Sequence, residues 1–423
     1  MNIHNVYKNN LNISCWNING YKHKGYNKYS DPRFIGEIVS KDIICLLETH
    51  CPYDQSLVLP GFKSVHLIRP KPARINKQSG GISVFVRNEI RPGIKFLEHC
   101  NNDYIWLKLC KDFFGTLHDI YLCFLYNSPV NSTYTNSLDI DLLDLIEKDI
   151  IRYSEIGKIL IAGDINARTG TCNFDFIDQD STDSFIPLYE DYTPDNLIDI
   201  RYSKDSVLNS RGKELNDLCV QTGLRILNGR VRGDYIGELT CHNFNGSSVV
   251  DYFLASESIL QKIDFFNVHK FLADLSDHSQ ISVMLKIKCK LENREEASNP
   301  TPVHYIWDKD SETKFQTALS SKDIQNKINT FMENKYNNVE NMITDFNAFL
   351  TEAADISLKR KKIKNGTNKR LRNKNKKWFD VSLIKLRRQL DNKEQLLRKY
   401  NKDPIVRGSF FSLLKLYRKN QKI

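Results

Sequence analysis

Short apolar runs separated by loop-forming residues recur along the 423-residue chain, at 11–16, 43–47, 81–86, 105–109, 120–125, 158–161, 249–254 and 281–285. Their length and punctuation read as β-strands, several of them covered on both faces. Helical spacing interrupts them. Over 138–151, Leu138, Leu142, Ile146 and Ile150 fall four apart. Over 210–222, Leu215, Leu218 and Cys219 share one face, and Gly223 supplies a stop. Strands mixed with helices in this way predict a layered α/β domain, and no repeat at a solenoid period is visible.

The pattern changes near residue 293, where Glu295, Glu296, Ser298, Asn299, Pro300 and Pro302 form a polar, proline-bearing hinge. Beyond it, 308–358 reads as helical, and 359–377 follows with eleven of nineteen residues Lys or Arg. Two amphipathic helices close the chain. One carries Leu383, Leu386, Leu390 and Leu397; the other carries Val406, Phe410, Leu413, Leu414 and Tyr417. The expected organisation is an N-terminal arm over 1–10, the layered α/β domain over 11–290, a linker over 291–304 and a basic, mainly helical extension over 305–423.

Charge and cysteine usage sharpen this outline. The net charge is +10, yet residues 295–423 hold 28 Lys/Arg against 15 Asp/Glu, while residues 1–294 hold 33 against 36. A near-neutral body with a positive tail predicts a polyanionic partner. The ten cysteines are scattered from Cys15 to Cys289 without a CxxC pair, which predicts reduced thiols and no structural zinc. A catalytic metal would sit among oxygen ligands, which suits a hard cation. No apolar run reaches the roughly 18 residues that a membrane-spanning helix needs, and the Asn-rich start lacks the form of a secretory signal. A soluble, intracellular protein without a membrane partner is expected.

Polar residues at the ends of buried strands carry the candidate chemistry, because the sheet holds them still while the strand end aims them into a cleft. Five such places stand out: Cys15, Trp16, Asn17, Ile18, Asn19 and Gly20; Leu47, Glu48, Thr49 and His50; Gly163, Asp164, Ile165 and Asn166; Val250 and Asp251; and Ser276, Asp277 and His278. Each alone has an ordinary reading as a cap or solvated turn. In this order, and with the turn Tyr126, Asn127, Ser128, Pro129 between them, the runs WNING, LLETH, GDINAR, VVDYF and LSDHS resemble the signature of the endonuclease/exonuclease/phosphatase family over about residues 10–288.

That resemblance implies a four-layer α/β sandwich, two packed β-sheets flanked by helices, and a Mg²⁺-dependent phosphodiesterase with Mn²⁺ able to substitute. It implies a catalytic set of Asp164, Asn166, His278, Asp251, Tyr126 and Asn17. Glu48, Asn19 and Asp277 would serve the metal, and Thr240, Ser276 and Arg168 the substrate. Asp164 would deprotonate the attacking water, Asp251 would fix the His278 tautomer, and Asn19 stands where many family members carry Asp.

The phrases at 209–215, 224–230 and 237–240 narrow the resemblance to the endonuclease of non-LTR (LINE-type) retrotransposon polyproteins. His304 to Asp308 and Lys377 to Asp380 look like the linker toward a reverse transcriptase that does not follow, which implies a truncated element product, a fragment or a gene derived from an element. DNA is then the expected partner, with element RNA as a second one for the tail, and the nucleus, with the cytoplasm beside it, is the expected compartment. A same-fold abasic-site nuclease, a lipid or inositol phosphatase, and a non-catalytic nucleic-acid-binding protein are the alternatives.

Overall fold

A period of two within the first strand sets the architecture. The structure is a computed structural model that describes residues 6–23, 26–51, 58–69, 78–97, 102–130, 132–138, 140–171, 200–291, 303–308, 310–336, 339–362 and 381–420. In the strand Val6–Asn17, Leu11, Ile13 and Cys15 enter one apolar cluster, and Trp16 enters another on the opposite face. The neighbouring strand Ile43–Leu47 does the same: Ile43, Cys45 and Leu47 face inward, and Ile44 and Leu46 outward. A strand apolar on both faces must lie between two layers.

Two six-stranded mixed sheets result. The first runs Ile263–Val268, Ile281–Leu291, Val6–Asn17, Ile43–Leu47, Ile82–Arg87, Phe62–Leu67. The second runs Leu224–Ile226, Asp251–Ser256, Gly157–Asp164, Asp119–Tyr126, Tyr104–Leu109, Ile94–Phe96. Their inner faces share one buried cluster that includes Ile13, Cys45 and Val283 from the first sheet and Leu122, Leu160 and Phe253 from the second. Burying one such Leu or Ile side chain contributes about 1.5–3 kcal/mol, so this cluster outweighs any single polar tie in the domain.

Helices close the outer faces. Pro32–Val39, capped where Asp31 accepts a hydrogen bond from the Arg33 N–H, buries Phe34 and Ile38 against Trp16 and Ile44. Leu142–Ser154 and Ser210–Thr222 cover the second sheet with Ile146, Ile150, Leu215 and Cys219. The expected four-layer α/β sandwich is thus the observed fold. The first of these two helices starts later than its spacing suggests. Asp141 accepts from the Leu143 N–H and fixes the N-terminus there, leaving Leu138 in the preceding turn.

The chain forms two compact units, residues 1–292 with 375–423, and residues 293–374. Two boundaries differ from expectation. Residues from Val6 onward belong to the first strand, which pairs antiparallel with Ile281–Leu291, so the anticipated arm over 1–10 is partly sheet. The extension over 305–423 is not one body. The helices Val381–Lys399 and Pro404–Asn420 belong to the first unit, where Leu383, Leu390, Leu397, Phe410, Leu414 and Tyr417 bury an apolar face together with Phe271 and Ala273. Their apolar stripes therefore have their partner within the chain. The second unit holds helices Ser311–Leu319, Lys322–Glu333 and Val339–Ser357, and a pairing of Val303–Ile306 with Lys359–Lys362. The remainder of the basic run, 363–377, and most of the expected linker lie outside the described residues.

Within the helix pair, burial lifts the Glu394 carboxyl to about 7, against the opposing pull of Lys270 and Arg398. Its folded value lies above the unfolded carboxylate value of about 4.3. The native state therefore binds the proton more tightly, and this contribution is complete below about pH 4.3 and lost as pH rises toward 7. Glu394→Gln is expected to flatten the fall in melting temperature between about pH 5 and pH 8. A fall as steep as that of the unsubstituted chain would show that Glu394 is not the titrating group.

Candidate active site

Strand ends from both sheets meet at one edge of the sandwich. In the first sheet Asn17 and Leu47 end parallel neighbouring strands in register, and Glu48 follows at once. In the second, Asp164 is in register with Tyr126 on one side and with Asp251 on the other, so the three side chains share a face. Backbone strain marks the same places. Among the described residues, the non-glycine residues at positive φ are Asn19, Glu48, His50 and Asn166, all immediately beyond strand ends. Left-handed backbone costs of order 1–3 kcal/mol at a side-chain-bearing residue and clusters where function demands an orientation.

Asn17 ties the two sheets together. It is fully buried, and its Nδ2 donates to Glu48 Oε1 at 2.7 Å and to Asp164 Oδ2 at 2.8 Å. Its Oδ1 accepts from the Asn19 N–H at 3.0 Å, and Asn19 Nδ2 donates to Asp277 Oδ1 at 3.0 Å. Ser276 Oγ donates to the Asn17 carbonyl and accepts from the His278 N–H, at 2.7 and 3.0 Å. Trp16 Nε1 donates to the His278 carbonyl at 2.9 Å. Thr240, buried, uses its hydroxyl oxygen to accept from the N–H groups of Val250 and Asp251, each at 3.1 Å. Buried floor residues Asn17, Asp164, Asp251 and His278 are thus rimmed by half-buried Glu48, Asn166 and Asp277 and by exposed Asn19.

The electrostatics follow from packing two aspartates against one histidine. His278 Nδ1 lies 2.9 Å from Asp251 Oδ2, and Nε2 lies 4.0 Å from Asp164 Oδ2. Burial alone would push the imidazole down, but Asp251 outweighs it and holds the ring well above its ordinary value. Burial, and then the charge of Asp251, push the Asp164 carboxyl up, with His278 pulling the other way. For Glu48, burial raises the carboxyl, but hydrogen bonds from His50 and Asn17 prevail and hold it at about 2. Burial, followed by the charges of Glu48 and Asp164, raises the Tyr126 phenol, so it remains a proton donor, bonded to Glu48.

Eleven of the twelve residues singled out from the sequence join or border this network. Asn166 does so by its backbone, its N–H donating to Asp164 Oδ1, while its Nδ2 donates to the Asn127 carbonyl. Arg168 does not join it: its Nε and Nη2 donate to Asp205 at 2.8 and 2.6 Å, and Asp205 in turn accepts from the Val249 N–H. The phrases at 209–215 and 224–230 hold this flank. Asn209 caps Ser210–Thr222 by accepting from the Gly212 N–H, and a Cβ on Gly212 would sit 1.9 Å from the Arg168 carbonyl oxygen. A Cβ on Gly229, at φ 75°, would sit 1.7 Å from that of Tyr202.

Sequence reasoning missed the support beneath Tyr126. Buried Arg69 stacks on the Tyr134 ring at 3.5 Å and lies 5.4 Å from that of Tyr126. Its guanidinium bonds Asp103 and donates to Ser128 Oγ at 3.1 Å, and Asp103 accepts from the Tyr134 hydroxyl at 2.6 Å. A buried arginine in a loop has no periodicity to announce it. His50, 3.2 Å from Glu48, stands in a run singled out from the sequence but was given no role there.

The donor set suits a metal ion. Carboxylate oxygens of Asp164 and Asp251 lie within 4.8 Å of each other and of a His278 ring nitrogen, and the neighbouring donors are carboxylate and amide oxygens, the preference of a hard divalent cation; His278, held charged by Asp251, is not one of them. The profile of the Endonuclease/Exonuclease/phosphatase family matches residues 15–278, and the chain belongs to that family. Enzymes of the family depend on a divalent metal. Among solved structures, the chain is similar to the endonuclease domain of TRAS1, a telomere-specific non-LTR retrotransposon, at 17% identity and TM-score 0.40, covering 65% of this chain and 98% of that one. It is similar to the 3′ phosphatase NExo from Neisseria, bound to a product DNA hairpin, at 14% identity and TM-score 0.40 over 64% and 98% of the two chains. For the AP endonuclease LMAP from Leishmania major the figures are 12%, 0.46, 66% and 88%. No curated protein matches the chain in sequence.

The elevated His278 value predicts a displaced titration. In metal-free buffer its ring resonances should titrate above the ordinary value of about 6.5, whereas Asp251→Asn should bring the transition down toward it. Because the folded value is raised, the pair's contribution to stability is complete below about pH 6.5 and fades as pH rises through that elevated value. An Asp251→Asn protein whose His278 titrates as before would remove Asp251 as the cause.

Proposed function

We propose that this protein is a divalent-metal-dependent phosphodiesterase that nicks DNA, in the manner of the target-cutting endonuclease of a non-LTR retrotransposon. Mg²⁺ is its working cation, Mn²⁺ is able to substitute, and the nucleus is its place of action. The observation that carries this reading is the continuous network from Glu48 through Asn17 to Asp164, His278 and Asp251. The phrases at 209–215, 224–230 and 237–240 support the retrotransposon branch, and the charge distribution supports a polyanionic substrate. Residues 381–420 alone hold 11 Lys/Arg against 3 Asp/Glu.

Glu48 and Asp164, joined through Asn17, would hold the cation, with Asn19 and Asp277 beside them. A cation there also answers the crowding of negative charge that lifts Asp164. Bound, it supplies Lewis-acid polarisation of the phosphoryl oxygen. An imidazolium has no lone pair for a metal, so His278 serves the phosphate instead. Its Nε2–H donates to a non-bridging oxygen while Asp251 keeps the ring charged and oriented. Asp164 takes the proton of the attacking water. As the new P–O bond forms, the bond to the leaving 3′ or 5′ oxygen breaks and that oxygen takes a proton from solvent, while Asn166 donates to the phosphoryl group and Tyr126 would join it by turning its one hydroxyl proton away from Glu48. Thr240 and Ser276 hold Asp251 and His278 in place through the bonds described above. Element RNA is a second polyanion that the basic tail would suit.

Supercoiled plasmid with Mg²⁺ is the direct test. Asp164→Ala and His278→Ala should each lower the nicking rate by about 10² to 10³ without unfolding, and a chelator should abolish it. Plasmid left intact by the unsubstituted chain, with phosphate released from a lipid head group instead, would overturn the reading. Replacing Lys385, Lys399, Lys415 and Lys419, all exposed, by Gln should make plasmid affinity less dependent on salt, by up to about 0.9 in log–log slope for each lysine that meets a phosphate. An unaltered slope would show that these helices do not face the polyanion.

A further inference from the structure

The two closing helices lie outside the stretch 15–278 that matches the family, yet they grip both segments that frame the catalytic histidine. One segment is 271–276, which leads into Asp277 and His278. Phe271 and Ala273 are buried against the helices, Arg418 donates to the Ala273 carbonyl at 2.6 Å, and Arg387 reaches Asp274 at 3.2 Å. Asp274 is buried and is also bound by Arg33 from the helix Pro32–Val39, so it is a joint between the sandwich and the helix pair. Two residues on, Ser276 hands its hydroxyl to Asn17 and takes the N–H of His278.

The other segment is the hairpin of Cys241–Asn243 with Gly246–Ser248. Its base is part of the site. Cys241 bridges to His278, the His242 N–H donates to the Asp277 carbonyl at 2.8 Å, and the Ser279 N–H donates to the Thr240 carbonyl at 2.7 Å. Its far end is held by Arg407. That guanidinium donates to the Asn243 carbonyl, to the Phe244 carbonyl at 3.3 Å, to Ser247 Oγ at 3.1 Å, and to the Asn401 carbonyl at 2.6 Å. Between the two segments, the His242 ring packs on Phe271 at 4.5 Å, and Phe271 on Phe410 at 6.3 Å.

Arg407 is 8% exposed, and among the described residues its acceptors are carbonyl and hydroxyl oxygens, with no carboxylate. A buried guanidinium without a counter-charge is costly to keep. Mere packing of the helix pair has no need of it, since the apolar face of Leu383, Leu390, Phe410 and Leu414 already supplies the burial. What Arg407 adds is direction: a rigid planar fork that holds the backbone oxygens of Asn243 and Phe244 at one orientation.

We infer that the terminal helix pair is a built-in brace of the active site, in which Arg407 positions the hairpin and Arg418 positions the 271–276 segment, so that His278 is held from both sides. The consequence for turnover rests on the phosphodiesterase reading, but the brace itself is read without substrate. Because the helices bury Phe271, the full chain is the material to use. Amide hydrogen exchange of Arg407→Gln should rise roughly tenfold over 241–248 and 276–279 while the core strand Gly157–Asp164 keeps its protection. Arg418→Gln should have its largest effect over 271–279. Arg407→Lys, which keeps the charge but loses the fork, should restore only part of the protection.

On plasmid, Arg407→Gln should lower kcat roughly tenfold, with KM changed less, because it is the reacting geometry that loosens. Unchanged exchange over 241–248 in Arg407→Gln would overturn the inference. So would exchange raised equally over Gly157–Asp164, which would make Arg407 a general stability residue. Should the unsubstituted chain fail to nick DNA, the functional proposal falls while the exchange pattern still decides the brace.

Discussion

Two carboxylates, Asp164 and Asp251, stand opposite each other on neighbouring strands, both buried, and the imidazolium of His278 makes that arrangement tolerable. Much of the surrounding design protects this cluster. Asn17 spans from Asp164 to Glu48, Thr240 holds the start of the Asp251 strand, and Ser276 and Trp16 fix the backbone of His278. A buried cluster of this kind is favourable only when every member is satisfied. That explains why so many of its ties are hydrogen bonds to backbone groups, which cannot swing away.

The fold was legible where period and burial agree. Strands such as Ile43–Leu47 and Asp119–Tyr126 are apolar on both faces and announce themselves as runs, whereas Phe62–Leu67 and Ile263–Val268 lie at sheet edges, mix polar with apolar positions, and escaped notice. The hairpin Cys241–Asn243 with Gly246–Ser248 is too short and polar to give a pattern. At the site, residues at the ends of buried strands were readable because a polar residue there interrupts an apolar run, as at Glu48, Asp164 and Asp251. Arg69 and Asp103 were not, since each draws its meaning from a partner distant in sequence. Arg168 shows the converse: its place in a recognisable phrase suggested substrate contact, and its side chain holds Asp205 instead.

The closing helices were legible as amphipathic, but not the surface they would seek. Their stripe of Leu383, Leu390, Phe410 and Leu414 is matched by Phe271 and Ala273, two apolar residues in a segment that carries no regular structure and so offers no period to read. Charge was read in bulk, as a positive tail. The structure divides it between exposed lysines such as Lys415 and Lys419 and inward arginines, Arg387, Arg407 and Arg418, that bind carbonyls and a carboxylate of the sandwich.

The first strand, Val6–Asn17, pairs along its length with Ile281–Leu291, close to the far end of the sandwich sequence. Contacts so remote along the chain slow folding. Asn17 waits for Ser276 and His278, which emerge from the ribosome some 260 residues after it. A nascent chain, or one cleaved in the middle, therefore carries the individual groups without the centre they build. The centre is complete only once the strand Ile281–Leu291 lies beside Val6–Asn17, because that closure brings Ser276 and His278 to Asn17.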